Sequence, residues 1–240
     1  MDSTTRTWTT NAGWQNARLS YLMHPAKGAN FVMYLVDMAP GSAAPPKTPI
    51  TERFMLVLTG QLEIDVNDNE VEVSSNHYAY LPPASEEYLS QTVTSEGGAK
   101  LLVYERIFAK AEGMPGFEHG AVDDVLPDAI TAGPAGATVQ RRLLPDSDEW
   151  DFDVLVLDVK PGASPPEVVG GWLKGNYNNH GLLLLSGEGI IRLGDGWYPV
   201  RAGDAVWAAP YVPQWFAALG QERARLVMYR DRNVDPLFLA

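Results

Sequence analysis

The chain has 240 residues, of which 45% are hydrophobic and 20% charged, and it carries a formal net charge of -12. This length allows one large or two small domains with a substantial core, while the acidic balance argues against nucleic acid or an anionic membrane as the main partner. The absence of cysteine excludes disulfides, thiolate metal ligands and cysteine nucleophiles. We therefore expect a small solute or another subunit as the partner.

The sequence shows no sign of targeting or membrane insertion. Residues 1–15 lack an apolar signal core, and no run approaches the roughly 18 apolar residues of a membrane-spanning helix. We expect a soluble, cytoplasmic protein without a membrane partner.

The first half of the chain reads as a series of short strands. Leu62, Ile64 and Val66 alternate with polar residues, which is the pattern of a half-buried strand, and Asn-Asp-Asn at 67–69 predicts a turn. The strand-like segments are FVMYLVDMAPG (31–41), ERFMLVLTGQLEIDV (52–66), HYAYLPPASEEYL (77–89) and KLLVYERI (100–107).

The second half repeats this series in the same order. Its segments are FDVLVLDVKPG (152–162), NHGLLLLSGEGIIRL (179–193), DAVWAAPYVPQWF (204–216) and ARLVMYRD (224–231). The match indicates a duplication of about 100 residues per unit. Short strands separated by Gly and Pro turns predict an all-β fold with one barrel per unit. We expect an N-terminal barrel over 1–110, a linker over 111–138 and a C-terminal barrel over 139–240.

One pattern in the second unit resembles the cupin barrel. It comprises Pro161-Gly162, His180, Gly187, Gly203-Asp204, Pro210 and Gln214. Strand residues of one parity point into a barrel, so side chains from adjacent strands converge inside it. We therefore expect His180 and Gln214 to meet, and we take them as the candidate catalytic residues.

The resemblance extends to one family. The segments 180–220, 226–237, 28–38 and 77–83 resemble the bicupin (S)-ureidoglycine aminohydrolases of allantoin and ureide breakdown, over nearly the whole chain from about Trp14 to Leu239. Membership would imply a tandem pair of jelly-roll cupin barrels, hydrolysis of ureidoglycine to ureidoglycolate with ammonia release, manganese in the second barrel and a homo-oligomer.

The family's four metal ligands are Glu, His, His and Gln, and the resemblance places them at Lys174, Asn176, His180 and Gln214. A lysine in place of a carboxylate changes the local charge by about two units and repels a divalent ion by several kcal/mol. The sequence thus predicts weak manganese binding or none, with Lys174 and Asn176 as substrate contacts. Glu167 in the preceding loop is the alternative source of a carboxylate ligand.

The family's substrate-binding positions also differ. Two tyrosines and a lysine of the family correspond here to Ile191, Leu226 and Arg230. The alternation in 224–231 places Arg230 on the barrel face of its strand, where it could bind a carboxylate through two parallel hydrogen bonds.

The first unit lacks the metal-binding pattern. The four corresponding positions hold Lys47, Pro49, Arg53 and Glu87. We expect Arg53 and Glu87 to form a structural ion pair inside the first barrel.

The sequence is compatible with three functions. The first is a ureidoglycine aminohydrolase, or a hydrolase of a related small ureido or amino acid. The second is a metal-free binding or regulatory cupin that has lost the hydrolase activity. The third, a metal-dependent isomerase or dioxygenase, is weakest because such sites need two or three converging histidines.

Overall fold

The computed structural model describes residues 2–11, 13–109, 113–128, 136–165 and 177–232. Within these ranges the regular structure consists of strands and three 3₁₀ turns, at Ser3–Thr5, Pro25–Lys27 and Val122–Asp124. The all-β prediction is therefore confirmed. The chain divides into two compact units, Thr7–Asp124 and Met1–Arg6 with Val125–Ala240.

Eight strands of the first unit form one antiparallel sheet that bends back on itself. They are β1 (Gln15–Met23), β2 (Val32–Ala43), β3 (Thr51–Val66), β4 (Asn69–Ser74), β5 (His77–Leu81), β6 (Gln91–Ser95), β7 (Ala99–Ile107) and β8 (Glu118–Ala121). The first half of β3 pairs with β5 and β7, and its second half pairs with β4 and β6. The single long strand β3 therefore forms part of both halves of the barrel. Strand β8 lies within the segment 111–138 that the sequence analysis treats as a linker.

The second unit repeats this arrangement in two sheets. Its strands are β9 (Thr138–Arg142), β10 (Phe152–Val159), β11 (His180–Ser186), β12 (Glu188–Leu193), β13 (Gly196–Arg201), β14 (Ala205–Ala208), β15 (Gln214–Leu219) and β16 (Ala224–Asp231). One sheet has the order β14-β11-β16-β10-β9 and the other has the order β13-β12-β15. Strands β11 and β12 together correspond to the single strand β3.

Glycine permits the sharp bend between the two halves of each long strand. Gly60 in β3 and Gly187 between β11 and β12 have φ of +83° and +76°, a backbone region that glycine adopts without steric cost. A Cβ on Gly60 would lie 2.2 Å from the Gly98 carbonyl oxygen, and one on Gly187 would lie 2.8 Å from Ala224 Cα. Only glycine allows strands this close at the bend.

The core of each unit follows the alternation seen in the sequence. In the second unit Leu182 and Leu184 of β11 pack with Leu226 and Met228 of β16 in one buried cluster. Residues of the same parity therefore face the interior of the barrel. In the first unit the corresponding cluster includes Met55, and the 55–57 segment of β3 is buried throughout.

The strand registers show which residues of the two units correspond. Arg53 lies opposite Glu105 as His180 lies opposite Arg230. Likewise, β3 ends with Val66 opposite Gln91, and β12 ends with Leu193 opposite Gln214. Arg53 thus corresponds to His180, Glu105 to Arg230, and Gln91 to Gln214.

The predicted ion pair between Arg53 and Glu87 is wrong. Arg53 Nε instead lies 2.5 Å from Glu105 Oε1, and Glu87 is exposed in a turn before β6. The error comes from loop length, because nine residues (82–90) separate β5 from β6, whereas five (209–213) separate β14 from β15. Sequence spacing alone therefore points to Glu87, which lies four positions before Gln91, the residue that corresponds to Gln214.

We expect Gly187→Ala to destabilise the fold by about 1–3 kcal/mol, because the added methyl group must move strand β16. Gly162→Ala is the matched control, since Gly162 has nearly the same φ, +75°, but no atom within 4 Å of an added Cβ. Urea denaturation of both variants separates backbone strain from the clash. Equal losses would show that the close approach at Gly187 contributes nothing.

Candidate active site in the second barrel

Three polar side chains form a row across the inner face of the second barrel. Asp153 of β10 lies opposite Arg230 of β16, and Arg230 lies opposite His180 of β11. Each continues the parity of the apolar core residues on its own strand, so all three side chains are on the interior face. The row marks the point where the lining of the barrel changes from apolar to polar.

Gln214 reaches this row from the other sheet. Its side-chain amide donates a hydrogen bond from Nε2 to His180 Nδ1, and both residues are buried. His180 Nε2 and Gln214 Oε1 are also buried, and neither has a hydrogen-bond partner among the described residues. The structure thus brings together the two residues that strand parity predicts to converge, with one polar atom of each left for a ligand.

His180 is held neutral. Burial is the main cause that lowers its pKa to about 3, and the nearby Arg230 guanidinium lowers it further, against the opposing effect of the Gln214 hydrogen bond. Because Nδ1 accepts the hydrogen bond from Gln214, the single proton of the neutral ring is on Nε2. His180 therefore presents an N–H donor to the site.

Arg230 is anchored from behind by a buried carboxylate. Asp153 accepts hydrogen bonds from Arg230 Nη2 and, at 3.2 Å, from Arg230 Nε. The same carboxylate accepts from Arg142 Nη1 at 2.7 Å and lies 3.7 Å from Arg232 Nη1. Asp146 also pairs with Arg142 and Arg232, and Asp128 acts electrostatically on Arg142. The Arg230 guanidinium is therefore held in place by a network of opposite charges.

A second buried network fixes the start of strand β11 next to His180. Asp231 accepts hydrogen bonds from the backbone N–H and the side-chain amide of Asn179, both at 3.0 Å, and from the Tyr229 hydroxyl at 2.6 Å. Trp207 Nε1 donates to Asn179 Oδ1 at 3.0 Å. Asn179 is thereby held on both sides, which fixes the direction in which His180 enters the barrel.

The two other substrate-binding positions of the family lie in the apolar part of the barrel. Ile191 and Leu226 are buried in the same hydrophobic cluster and carry no hydrogen-bonding side-chain group. A cavity of about 380 Å³ is lined by Ile191, Leu193 and Trp207 among others. His180, Gln214 and Arg230 are not among its lining residues, although Leu193 is the cross-strand partner of Gln214.

Asp153 is not among the residues predicted from the sequence, although the sequence carries a signal for it. In FDVLVLDV it shares the parity of Leu155 and Leu157, which indicates a charged side chain on the buried face. Three candidate residues, Lys174, Asn176 and Glu167, lie outside the described residues.

The described part of this site does not fit manganese by itself. Within the described ranges, no group of three or more His, Cys, Asp or Glu side chains could hold a metal ion. His180 and Gln214 supply two neutral donors, while the carboxylates of Asp153 and Asp231 are already hydrogen-bonded. The adjacent Arg230 cation opposes a divalent ion, which prefers oxygen ligands and compensating negative charge.

The neutrality of His180 predicts a pH-dependent stability. The unfolded chain takes up a proton at the ordinary histidine pKa of 6.5, whereas the folded pKa is about 3, so the folded state loses stability as the pH falls below 6.5. Between about pH 7.5 and pH 5 we expect this residue to lower the free energy of unfolding by about 2 kcal/mol.

Urea denaturation at both pH values gives the change in the free energy of unfolding for the wild type and for His180→Asn. The difference between these two changes is the contribution of His180. His119→Asn, at an exposed position, is the control. The same pH dependence in the wild type and in His180→Asn would contradict a depressed histidine pKa.

No helix among the described residues is long and apolar enough to cross a membrane.

No family model matches the chain, but solved structures support the cupin fold. The chain superimposes on protein Ylba from Escherichia coli with a TM-score of 0.81 and 21% identity, covering 98% of this chain and 91% of that one. It also resembles oxalate decarboxylase from Bacillus subtilis, a protein with Mn(II) centres, with a TM-score of 0.68 and 11% identity, covering 98% of this chain and 78% of that one.

Curated relatives are closer in sequence. The chain is 40% identical over 230 residues to a probable (S)-ureidoglycine aminohydrolase from Oryza sativa subsp. japonica, covering 93% of this chain and 69% of the relative. It is 37% identical over 227 residues to the (S)-ureidoglycine aminohydrolase of Arabidopsis thaliana, covering 93% of this chain and 72% of the relative. This degree of identity over nearly the full chain places the protein in the (S)-ureidoglycine aminohydrolase family.

Proposed function

We propose that the protein hydrolyses (S)-ureidoglycine, or a closely related small ureido or amino acid, with release of ammonia. In this reaction the bond from the α-carbon to the amino nitrogen breaks and a bond from the α-carbon to a water oxygen forms. One proton of the water passes to the amino nitrogen, which leaves as ammonia. The observation that carries the proposal is that Arg230 and His180 of the polar row meet Gln214 inside the second barrel, in a chain that belongs to this family.

Arg230 is the residue proposed to bind the substrate carboxylate. Its Nε and Nη2 are turned toward Asp153, so its Nη1 remains for a ligand, and its side chain is 22% exposed. A charge-assisted hydrogen bond from guanidinium to carboxylate is stronger than one between neutral groups. Asp153 acts as a positioning residue, because it restricts the guanidinium to one orientation.

Gln214 and His180 are proposed to hold the rest of the substrate. Gln214 Oε1 is a buried acceptor and suits the ureido N–H or the amine, while His180 Nε2–H is a buried donor and suits the ureido carbonyl. Leaving these atoms without partners is unfavourable by about 1–3 kcal/mol each, and a ligand that supplies both partners recovers that free energy.

His180 acts in this proposal as a hydrogen-bond donor. A base with a pKa of about 3 removes a proton from water poorly at neutral pH, because general bases work best when their pKa is near the working pH. A neutral imidazole can nevertheless orient and polarise a carbonyl through its N–H group. The described donor set does not fit manganese, so we assign no step to a metal.

Ammonia release from (S)-ureidoglycine tests the function. We expect a rate above the spontaneous one, with kcat/KM showing no inflection from His180 between pH 5 and pH 8 because the imidazole stays neutral across that range. His180→Asn should lower kcat/KM about 10–100-fold through loss of the Nε2 donor. No rate above the spontaneous one, with or without added manganese, would overturn the proposal.

The role of Arg230 is tested by Arg230→Met. We expect KM to rise about 10–100-fold with a smaller change in kcat, because one charge-assisted hydrogen bond to the carboxylate is lost. Arg225→Met is the matched control, since Arg225 is on the same strand, has the opposite parity and pairs with Asp158. A similar effect from both variants would contradict a direct contact between Arg230 and the substrate.

A further inference from the structure

The first barrel contains its own polar cluster at the positions that correspond to the candidate active site. By strand register, Arg53, Gln91 and Glu105 correspond to His180, Gln214 and Arg230. Lys47 joins them, because its amino group and the Gln91 amide both donate to the Pro82 carbonyl. The proposed hydrolase reaction uses none of these four residues.

The cluster has one more cation than anion. Arg53, with a side chain only 4% exposed, pairs with Glu105 at 2.5 Å and donates from Nη1 to the Pro45 carbonyl at 3.1 Å. Lys47 forms no ion pair within the described part of the chain, and its amino group is bonded to the neutral Pro82 carbonyl. Burial, followed by repulsion from Arg53, lowers the pKa of Lys47 to about 8, against the opposing attraction of Glu105 and Glu52. Lys47 is therefore still largely protonated at neutral pH, although no carboxylate of the described residues lies within ion-pair distance of its amino group.

Gln91 adds an unused acceptor to this cluster. Its Nε2 donates to the carbonyls of Pro82 and Tyr88 at 3.2 and 3.1 Å. Its Oε1 is buried and lacks a hydrogen-bond partner among the described residues, as Gln214 Oε1 does in the second barrel. A buried acceptor of this kind is usually satisfied by water or by a ligand N–H.

Aromatic rings pack against the cluster, and two of its side chains are partly exposed. The Trp14 ring lies 5.7 Å from the Arg53 guanidinium and packs edge-on against Tyr34 at 6.2 Å. The Glu105 side chain is 21% exposed, and Lys47 is half-buried. The exposed parts of Glu105 and Lys47 mark the side from which a ligand would approach Arg53 and the Gln91 amide oxygen.

We propose that the first barrel holds a second binding site, for a small carboxylate that also carries an N–H group, such as an α-ureido or α-amino acid. The ligand carboxylate contacts Lys47 and Arg53, and the ligand N–H donates to Gln91 Oε1. Phosphate suits this site less well, because Glu105 and the Gln91 carbonyl oxygen would repel its two negative charges. The site binds without catalysis, and it does not depend on the hydrolase activity of the second barrel.

Calorimetric titration of the full chain with N-carbamoylglycine, which carries a carboxylate and ureido N–H groups, tests this site. We expect two binding sites per chain in the wild type. Lys47→Met should lower the affinity of one of them at least 10-fold, and Arg230→Met should do the same to the other. Lys27→Met, at an exposed position of the same unit, should leave both unchanged.

The outcomes separate this site from the proposed hydrolase site. If Lys47→Met loses a binding site that Arg230→Met keeps, the first-barrel site is supported, even if the second barrel binds nothing. If Arg230→Met is the only variant that loses a site, or if Lys47→Met weakens no binding, the first-barrel site is overturned. Lys47→Arg, which keeps the charge, should restore binding, and thermal unfolding of both Lys47 variants shows whether the fold is intact. Inorganic phosphate binding as tightly as N-carbamoylglycine would contradict the assigned ligand class.

Discussion

The buried charges at the polar end of each barrel need a partner, and a cross-strand neighbour supplies it. In the first barrel Arg53 faces Glu105 across β3 and β7, and in the second Arg230 faces Asp153 across β16 and β10. An uncompensated buried charge costs several kcal/mol, so the register of these strands and the position of the charges depend on each other. A slip of one residue would turn each charged side chain to the opposite face of its sheet.

The two barrels meet this constraint in different ways, and the difference decides which residues remain for a ligand. In the first barrel the pair includes the residue that corresponds to His180, so Arg53 Nε is bonded to Glu105 and Arg53 Nη1 to the Pro45 carbonyl. In the second barrel Asp153 compensates Arg230 from the far side, at a position that Val32 occupies in the first. His180 then needs no charged partner, which leaves its Nε2 atom and the Gln214 Oε1 atom open to a ligand.

Most of the fold, and part of the site, could be predicted from the sequence. The repeat and the period-two alternation predicted the two barrels. The cupin-like spacing together with strand parity predicted that His180 and Gln214 meet, because both depend on local pattern. Glu87 instead of Gln91 was expected to correspond to Gln214, because alternation does not constrain loop length. The anchoring of Arg230 by Asp153 could not be predicted, because that contact depends on the register between strands that are distant in sequence.

The balance of charge also determines how each barrel can recognise a small acid. The positive charge of Arg230 is largely neutralised by Asp153, and His180 and Gln214 are neutral, so recognition in the second barrel depends mainly on the geometry of hydrogen bonds. In the first barrel the charge of Lys47 lies beside Arg53, so attraction between charges contributes more. Because Lys47 is only half-buried, salt screens that attraction, and binding in the first barrel should depend more strongly on ionic strength than binding in the second.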